Sequence, residues 1–207
     1  MGKSHISEVI RRSELLARIL NGENITKTRA ADDYNVEEIT ITRDLQFFRS
    51  LGIEIFGKKK GIQILNKVNK ELLISLAAEY FSHKMNSDFF LKSVKVFSKL
   101  DKDFYQQIVL LTKAIKESHI IQMTYKRLSD DETNDYTLKP IRLAEYNNNW
   151  ILHAIKKDES ILQSFYLSRI ITFHITNKKF EEIKDLEESG EKYKIVLRFS
   201  PEVENQI

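Results

Sequence analysis

VEEITITRDLQFFRSLGIEIFGKKKGIQIL, from Val36 to Leu65, decides how the first third of the chain reads. Val36, Ile41, Leu45, Phe48 and Leu51 fall on one stripe of a 3.6-residue period, and Gly52 follows as a residue suited to stopping a helix. The spacing predicts a helix over 36–51. Its opposite side carries Glu38, Ile39, Thr42, Arg43 and Gln46. Beyond Gly52 the period drops to two, which predicts short strands from Ile53 to Phe56 and from Ile62 to Leu65. Gly57 and Gly61 bound a basic tip between them, where Lys58, Lys59 and Lys60 have no way to bury their charge.

Working upstream, Ile6, Val9, Ile10, Leu15, Leu16, Ile19 and Leu20 recur at three and four, with Arg11, Arg12 and Arg18 among the polar positions between them. This predicts an amphipathic helix closed by Asn21-Gly22. Thr26 is a suitable N-cap for a second, short helix ending near Tyr34, in which Ala30 and Ala31 allow close packing and Asn35 suits the turn. Three helices followed by a basic hairpin is the order of a winged helix. A helix fits the major groove of B-DNA, so Ile39, Thr40, Thr42, Arg43 and Gln46 are the candidate reading set. Arg43 can donate two hydrogen bonds to a guanine edge, Ile39 suits a thymine methyl, and Thr40 suits a phosphate. Lys58, Lys59 and Lys60 suit a phosphate or minor-groove contact. The bland alternatives are a solvated helix face with an Arg43-Asp44 neighbour pair, and a solubilising turn. Glu37 and Glu38 favour the helix dipole but repel phosphate.

Downstream, residues 70–118 read as helix in three pieces, broken near 85–87 and 100–101. Leu72, Leu73, Leu76, Ala77 and Tyr80, then Phe89, Phe90, Val94 and Phe97, then Phe104, Ile108, Leu111 and Ile115 repeat at helical spacing. Such stripes suit packing between domains or subunits. After Ser118 the period changes to two, which predicts a domain boundary. Strands are expected from His119 to Tyr125, Asp135 to Glu145, Trp150 to Lys156, Leu162 to Leu167 and Ile171 to Thr176, as in a small barrel or sandwich. Residues 181–190 read as an acidic loop or short helix, and Tyr193 to Phe199 alternates as one more strand.

Composition bounds the rest. The chain has 207 residues and a formal net charge of +3, with 42% hydrophobic and 30% charged residues, 6 Gly, 2 Pro and no Cys. Disordered, collagen-like and disulfide-framed classes fall away. Residues 1–69 hold 12 Lys and Arg against 9 Asp and Glu, whereas residues 181–207 hold 4 against 8, so a polyanion partner is allowed at the N-terminal side. The start lacks a signal core and no window suits a membrane span, so a cytoplasmic location without membrane partner is expected. His5, His83, His119, His153 and His174 are dispersed without metal-ligand spacing, and GxSxG, GxxxxGK[ST] and GxGxxG are absent. Neither an enzyme nor a bound metal or cofactor is expected, and Asp130-Asp131 reads as a solvated loop pair.

The run from Val36 to Leu45, with Thr40-Ile41-Thr42-Arg43-Asp44-Leu45 at its end, resembles the recognition helix of DeoR-like winged helices. The later segments MTY at 123–125, KPIRL at 139–143, NNNWILHAI at 147–155 and FYLSRI at 165–170 resemble a WYL domain, an Sm-like, SH3-type β-barrel. YKIVLRFSPEV at 193–203 resembles the first strand of the C-terminal extension of longer WYL regulators, which implies a chain cut short. Together the resemblance spans nearly all of residues 5–203. Its naming triplet is Trp150-Ile151-Leu152 here, and Tyr136, Gln163 and Tyr166 stand where arginines are common in the family, while Arg169 remains.

The resemblance implies an α+β chain made of an N-terminal winged helix-turn-helix at 1–69, a helical linker or dimerisation region at 70–118, a WYL barrel at 119–180 and the start of an extension at 181–207. It implies a homodimeric regulator, more readily a repressor, that binds double-stranded operator DNA and senses an anionic nucleotide or single-stranded nucleic acid. Tyr125, Arg127, Trp150, His153, Tyr166 and Arg169 are the candidate ligand residues, with Lys126 beside them; hydroxyl, imidazole and guanidinium groups suit phosphate. An RNA- or single-strand-binding protein acting through the barrel, and a protein-interaction adaptor, are the alternatives.

Overall fold

The computed structural model describes residues 7–58, 60–84, 103–127, 131–147 and 149–181. Helices α1 (Glu8–Leu20), α2 (Lys27–Tyr34) and α3 (Glu38–Ser50) come first, followed by the hairpin β1 (Ile55–Lys58) and β2 (Gly61–Ile64). Local chemistry sets these boundaries. Ser7 and Thr26 cap α1 and α2, their hydroxyls accepting from the Ile10 and Arg29 N–H, and Asn35 closes α2 at φ 52°. Leu51 lies on the predicted apolar stripe of α3 but is 37% exposed, because the helix ends at Ser50 and the chain turns away through Gly52 at φ 83°.

β1 starts two residues later than the alternation predicts, and β2 one residue earlier. The Ile53 N–H donates to the Phe48 carbonyl at 3.1 Å and so completes the end of α3 rather than a strand. Pairing then runs from Ile55 opposite Ile64 to Lys58 opposite Gly61, so it takes in both ends of the predicted 57–61 tip. Gly61 sits at φ 130°, against Asn24, where a Cβ would collide. Next to it the Ile62 N–H donates to the Ile25 carbonyl at 2.7 Å, which anchors the hairpin to the segment before α2.

Two of the three predicted helical pieces are described, α4 (Lys70–Lys84) and α5 (Phe104–Lys116); the piece holding Phe89, Phe90, Val94 and Phe97 lies outside the described residues, as do 182–190 and the strand expected at 193–199. α1 is the hub of the helical half. Its Glu14 carboxylate, 1% exposed, accepts from Lys113 Nζ of α5 at 2.6 Å and lies 3.8 Å from Lys84 Nζ of α4. Tyr105 donates its hydroxyl proton to the Ser13 carbonyl at 3.2 Å. Burial pushes the Tyr34 phenol up to about 12, and it holds Tyr80 and Tyr105 above the usual tyrosine range as well. A raised folded-state value means stability that is complete below the ordinary tyrosine value near 10 and falls as pH climbs toward about 12. In an alkaline titration the part of the phenolate absorbance that Tyr34→Phe, Tyr80→Phe and Tyr105→Phe variants lack should therefore appear together with the loss of helical circular dichroism; that part appearing with helicity intact would contradict this packing.

The second half is antiparallel sheet: β3 (His119–Lys126), β4 (Thr133–Tyr146), β5 (Asn149–Lys156), β6 (Leu162–Tyr166) and, after a 3-10 turn at Leu167–Arg169, β7 (Ile170–Lys179). All five strands lie where the alternation predicts them, within a few residues. The expected closed barrel is corrected. The order is β6-β5-β4-β3-β7, so β6 and β7 are opposite edges without mutual pairing. The sheet curls far enough for Tyr125 of β3 to touch Phe165 of β6, with ring centroids 5.2 Å apart, yet its two edge strands stay unpaired with each other. α5 covers the remaining inner surface, packing on β3 and β4. β4 bends at an extra residue between Pro140 and Arg142, a position where proline is tolerated because the ladder is already interrupted. Buried side chains from both halves form one continuous cluster.

Candidate nucleic-acid interface and ligand site

α3 presents two chemically different sides. On the inner side Asp44, fully buried, accepts from Arg11 Nε at 2.7 Å, Arg11 Nη2 at 3.0 Å and Arg12 Nε at 2.9 Å. Arg12 also pairs with Glu8, and its guanidinium lies 4.0 Å from the centroid of the Phe47 ring. A buried carboxylate held by two guanidiniums fixes the rotation of α3 about its own axis. The neighbour pair between Arg43 and Asp44 does not form, because Asp44 points inward to α1 and Arg43 points out.

On the outer side Ile39 is 51% exposed, and Arg43 and Gln46 are exposed. Among the described residues the side chains of Arg43, Gln46, Lys58 and Lys60 make no hydrogen bond or ion pair. Thr40 and Thr42 are half-buried, and the Thr42 hydroxyl donates to the Glu38 carbonyl at 3.0 Å. Glu38 accepts from Thr28 at 2.5 Å, which draws its carboxylate toward α2. Lys58 ends β1 and Lys60 follows at the tip; Lys59 lies outside the described residues. Two further cations belong to this side and carry no local sequence signal. Lys27 lies along Gly57 of the hairpin, and Arg49 stacks 5.4 Å from the Phe56 ring centroid. The result is a short-side-chain reading surface flanked by cations, suited to a polyanion with a groove.

The six ligand candidates divide. Tyr125, Arg127, Tyr166 and Arg169 come together where β3 ends and the 3-10 turn begins. Tyr125 is buried, and its hydroxyl oxygen accepts from the Tyr166 N–H at 3.1 Å. Burial raises the Tyr125 phenol above its ordinary value. Arg169 donates from Nε to the Lys126 carbonyl at 2.7 Å, and from Nη2 to the Arg127 carbonyl and to Asp131 Oδ1 at 2.5 Å. It thereby staples the β3–β4 turn, and its Nη1 makes no bond among the described residues. Hydrogen bonds from Arg169 and Lys126 hold the exposed Asp131 carboxyl below the usual aspartate range. Asp131, read from sequence as solvated, is the counter-ion of this corner.

His153 and Trp150 stand apart from it. His153 Nδ1 lies 3.0 Å from Ser164 Oγ on the paired strand β6. Trp150 is 3% exposed, stacked on Phe81 of α4 at 6.3 Å and tilted against Phe104 of α5 at 5.9 Å. It is wedged between sheet and helices rather than facing the Arg169 corner. Among the described residues no helix is long and apolar enough to cross a membrane, and no group of three His, Cys, Asp or Glu is placed to hold a metal ion.

Residues 107–175 match the family model of the WYL domain, which takes in most of α5, β3 to β6 and the first part of β7. Among solved structures, proteasome accessory factor B/C (PafBC) of Arthrobacter aurescens is similar at 13% identity, over 86% of this chain and 40% of that one, with a TM-score of 0.36. A hypothetical protein is similar at 11% identity, over 83% of this chain and 50% of that one, with a TM-score of 0.23. The chain thus spans half or less of the length of both. No curated protein matches it.

Proposed function

We propose that a WYL domain joined to a three-helix and hairpin head makes this chain a WYL-type transcription regulator. In this reading 1–69 is a DeoR-like winged helix-turn-helix that binds operator DNA, and 70–118 is the helical linker and dimerisation region. Residues 119–180 sense an effector. A cytoplasmic homodimer would present two α3 helices to two half-sites, and repression is the favoured sense. The observation that carries the reading is the contrast across α3: Asp44 is locked inward while Ile39, Arg43 and Gln46 face outward unengaged.

The effector reading rests on the Arg169 corner. An anionic nucleotide or nucleic-acid fragment would meet the unengaged Nη1 of Arg169 and compete with Asp131 for the rest of the guanidinium, with Tyr166 beside it. Displacing Asp131 loosens the β3–β4 turn. From the sheet to the head, a direct link is Asn21 at the end of α1, whose Nδ2 donates to the Phe173 carbonyl of β7 at 2.9 Å. α1 in turn holds α3 through Arg11 and Arg12, so a shift of β7 is transmitted to the reading helix. Such coupling requires different effector affinity for the two poses.

The test is an electrophoretic shift on fragments selected from the parent genome, run at two salt concentrations. Replacing Lys58, Lys59 and Lys60 together by alanine should weaken binding on all fragments alike and lower the salt slope by about one per lost phosphate contact. An unchanged slope would remove the hairpin from the interface.

A further inference from the structure

The end of α1, the start of α5 and the start of β7 line a polar gap of about 170 Å³ beside the Asn21 to Phe173 hydrogen bond. Leu20, Asn21, Asp103, Gln106, Gln107 and Phe173 are among its walls, and it adjoins a larger apolar cleft through Leu20, Asp103 and Gln106. Gln106 and Gln107 are only 6% and 8% exposed, and buried carboxamides ordinarily have partners. Gln106 Nε2 donates to Asp103 Oδ1 at 3.0 Å. That bond fixes the amide orientation, since the flipped form would set two oxygens against each other. Gln106 Oε1 is then a buried acceptor without a partner. The Gln107 carboxamide makes no hydrogen bond among the described residues. Asn21 uses its Nδ2 on the Phe173 carbonyl, leaving its Oδ1 unengaged.

Acceptors therefore outnumber donors. Gln106 Oε1, Asn21 Oδ1, the Gln107 oxygen and the Asp103 carboxylate are the acceptors, against the Gln107 amide N–H groups and the Thr172 hydroxyl as donors, and among the described residues no lysine or arginine lines the gap. We propose that this gap binds a small organic ammonium ion, its N–H groups donating to those oxygens and its hydrocarbon part lying against Leu20, Ile170 and Phe173. The first turn of α5 would by itself favour an anion, but the Asp103 carboxylate already stands at that turn and would repel one. Such a ligand sits between α1 and β7, beside the Asn21 to Phe173 hydrogen bond.

Isothermal titration of the whole chain, without DNA, with n-butylammonium, butan-1-ol and butyrate compares three charges on one carbon skeleton. Butylammonium should bind one to one and about tenfold tighter than the alcohol, with no detectable heat from butyrate. Gln107→Leu and Asp103→Asn should each weaken butylammonium about tenfold, with helical circular dichroism unchanged. Side-chain amide resonances of Gln106 and Gln107 in the unmutated protein give a second reading that needs no variant: they should move with butylammonium and stay with butyrate. Equal binding of butylammonium and butyrate, stationary amide resonances, or full affinity in folded Gln107→Leu would each overturn the proposal. Because DNA is absent, that outcome would leave the operator-binding reading standing.

Discussion

Replacing Asp44 by alanine should destabilise the protein by about 3–5 kcal/mol, the usual cost of removing one partner from a buried ion pair. Arg12 can turn fully to Glu8, but the Arg11 side chain is 5% exposed and would keep its charge without a counter-ion. Loss of the carboxylate also frees α3 to rotate, so the damage reaches the reading surface as well as the core. Urea unfolding followed by circular dichroism measures the effect. Exchanging Arg11 and Asp44 together for well-packed apolar residues should recover much of the stability, because the desolvation of both charges then disappears. A loss under about 1 kcal/mol in the single variant would show that the pair is solvated and the clamp is not formed.

Trp150→Ala should be comparably costly, at about 3–5 kcal/mol for a large aromatic deleted from a packed interior. The indole stacks on Phe81 and contacts Phe104, so the variant opens a cavity where α4, α5 and the sheet meet. Unfolding should stay a single transition with a lower midpoint. A variant of normal stability with weakened effector binding would instead put Trp150 in the ligand site, as the sequence reading had it, and would contradict the packing.

These two residues mark where sequence stops being informative. α2 was legible because its signals are local: a threonine cap at Thr26, small residues at Ala30 and Ala31, and Asn35 in the left-handed region. The outward side of α3 followed from a 3.6-residue period, and the sheet strands from a period of two. Asp44 gave no such sign. Its partners Arg11 and Arg12 lie more than thirty residues away, and a charged residue beside Arg43 reads as surface. Alternation turns Trp150 inward, but which helix covers it depends on the docking of α4 and α5, which no local pattern encodes. Barrel closure was likewise a question of long-range pairing: β6 and β7 stay separate edges even though Tyr125 and Phe165 meet ring to ring. At the Arg169 corner the arginine itself was readable, while its bonds to the Lys126 and Arg127 carbonyls and to Asp131 arise only when the 3-10 turn folds back on the β3–β4 turn.

The central claim is that the outer side of α3 lies against a DNA duplex. Competitive electrophoretic shift of wild type and Arg43→Ala on selected genomic fragments tests it most directly. The account predicts that the variant loses about 1–3 kcal/mol on the cognate fragment, relaxes preference at one base-pair position and keeps most of its non-specific binding. Equal affinity and an unchanged preferred sequence in the two proteins would contradict it.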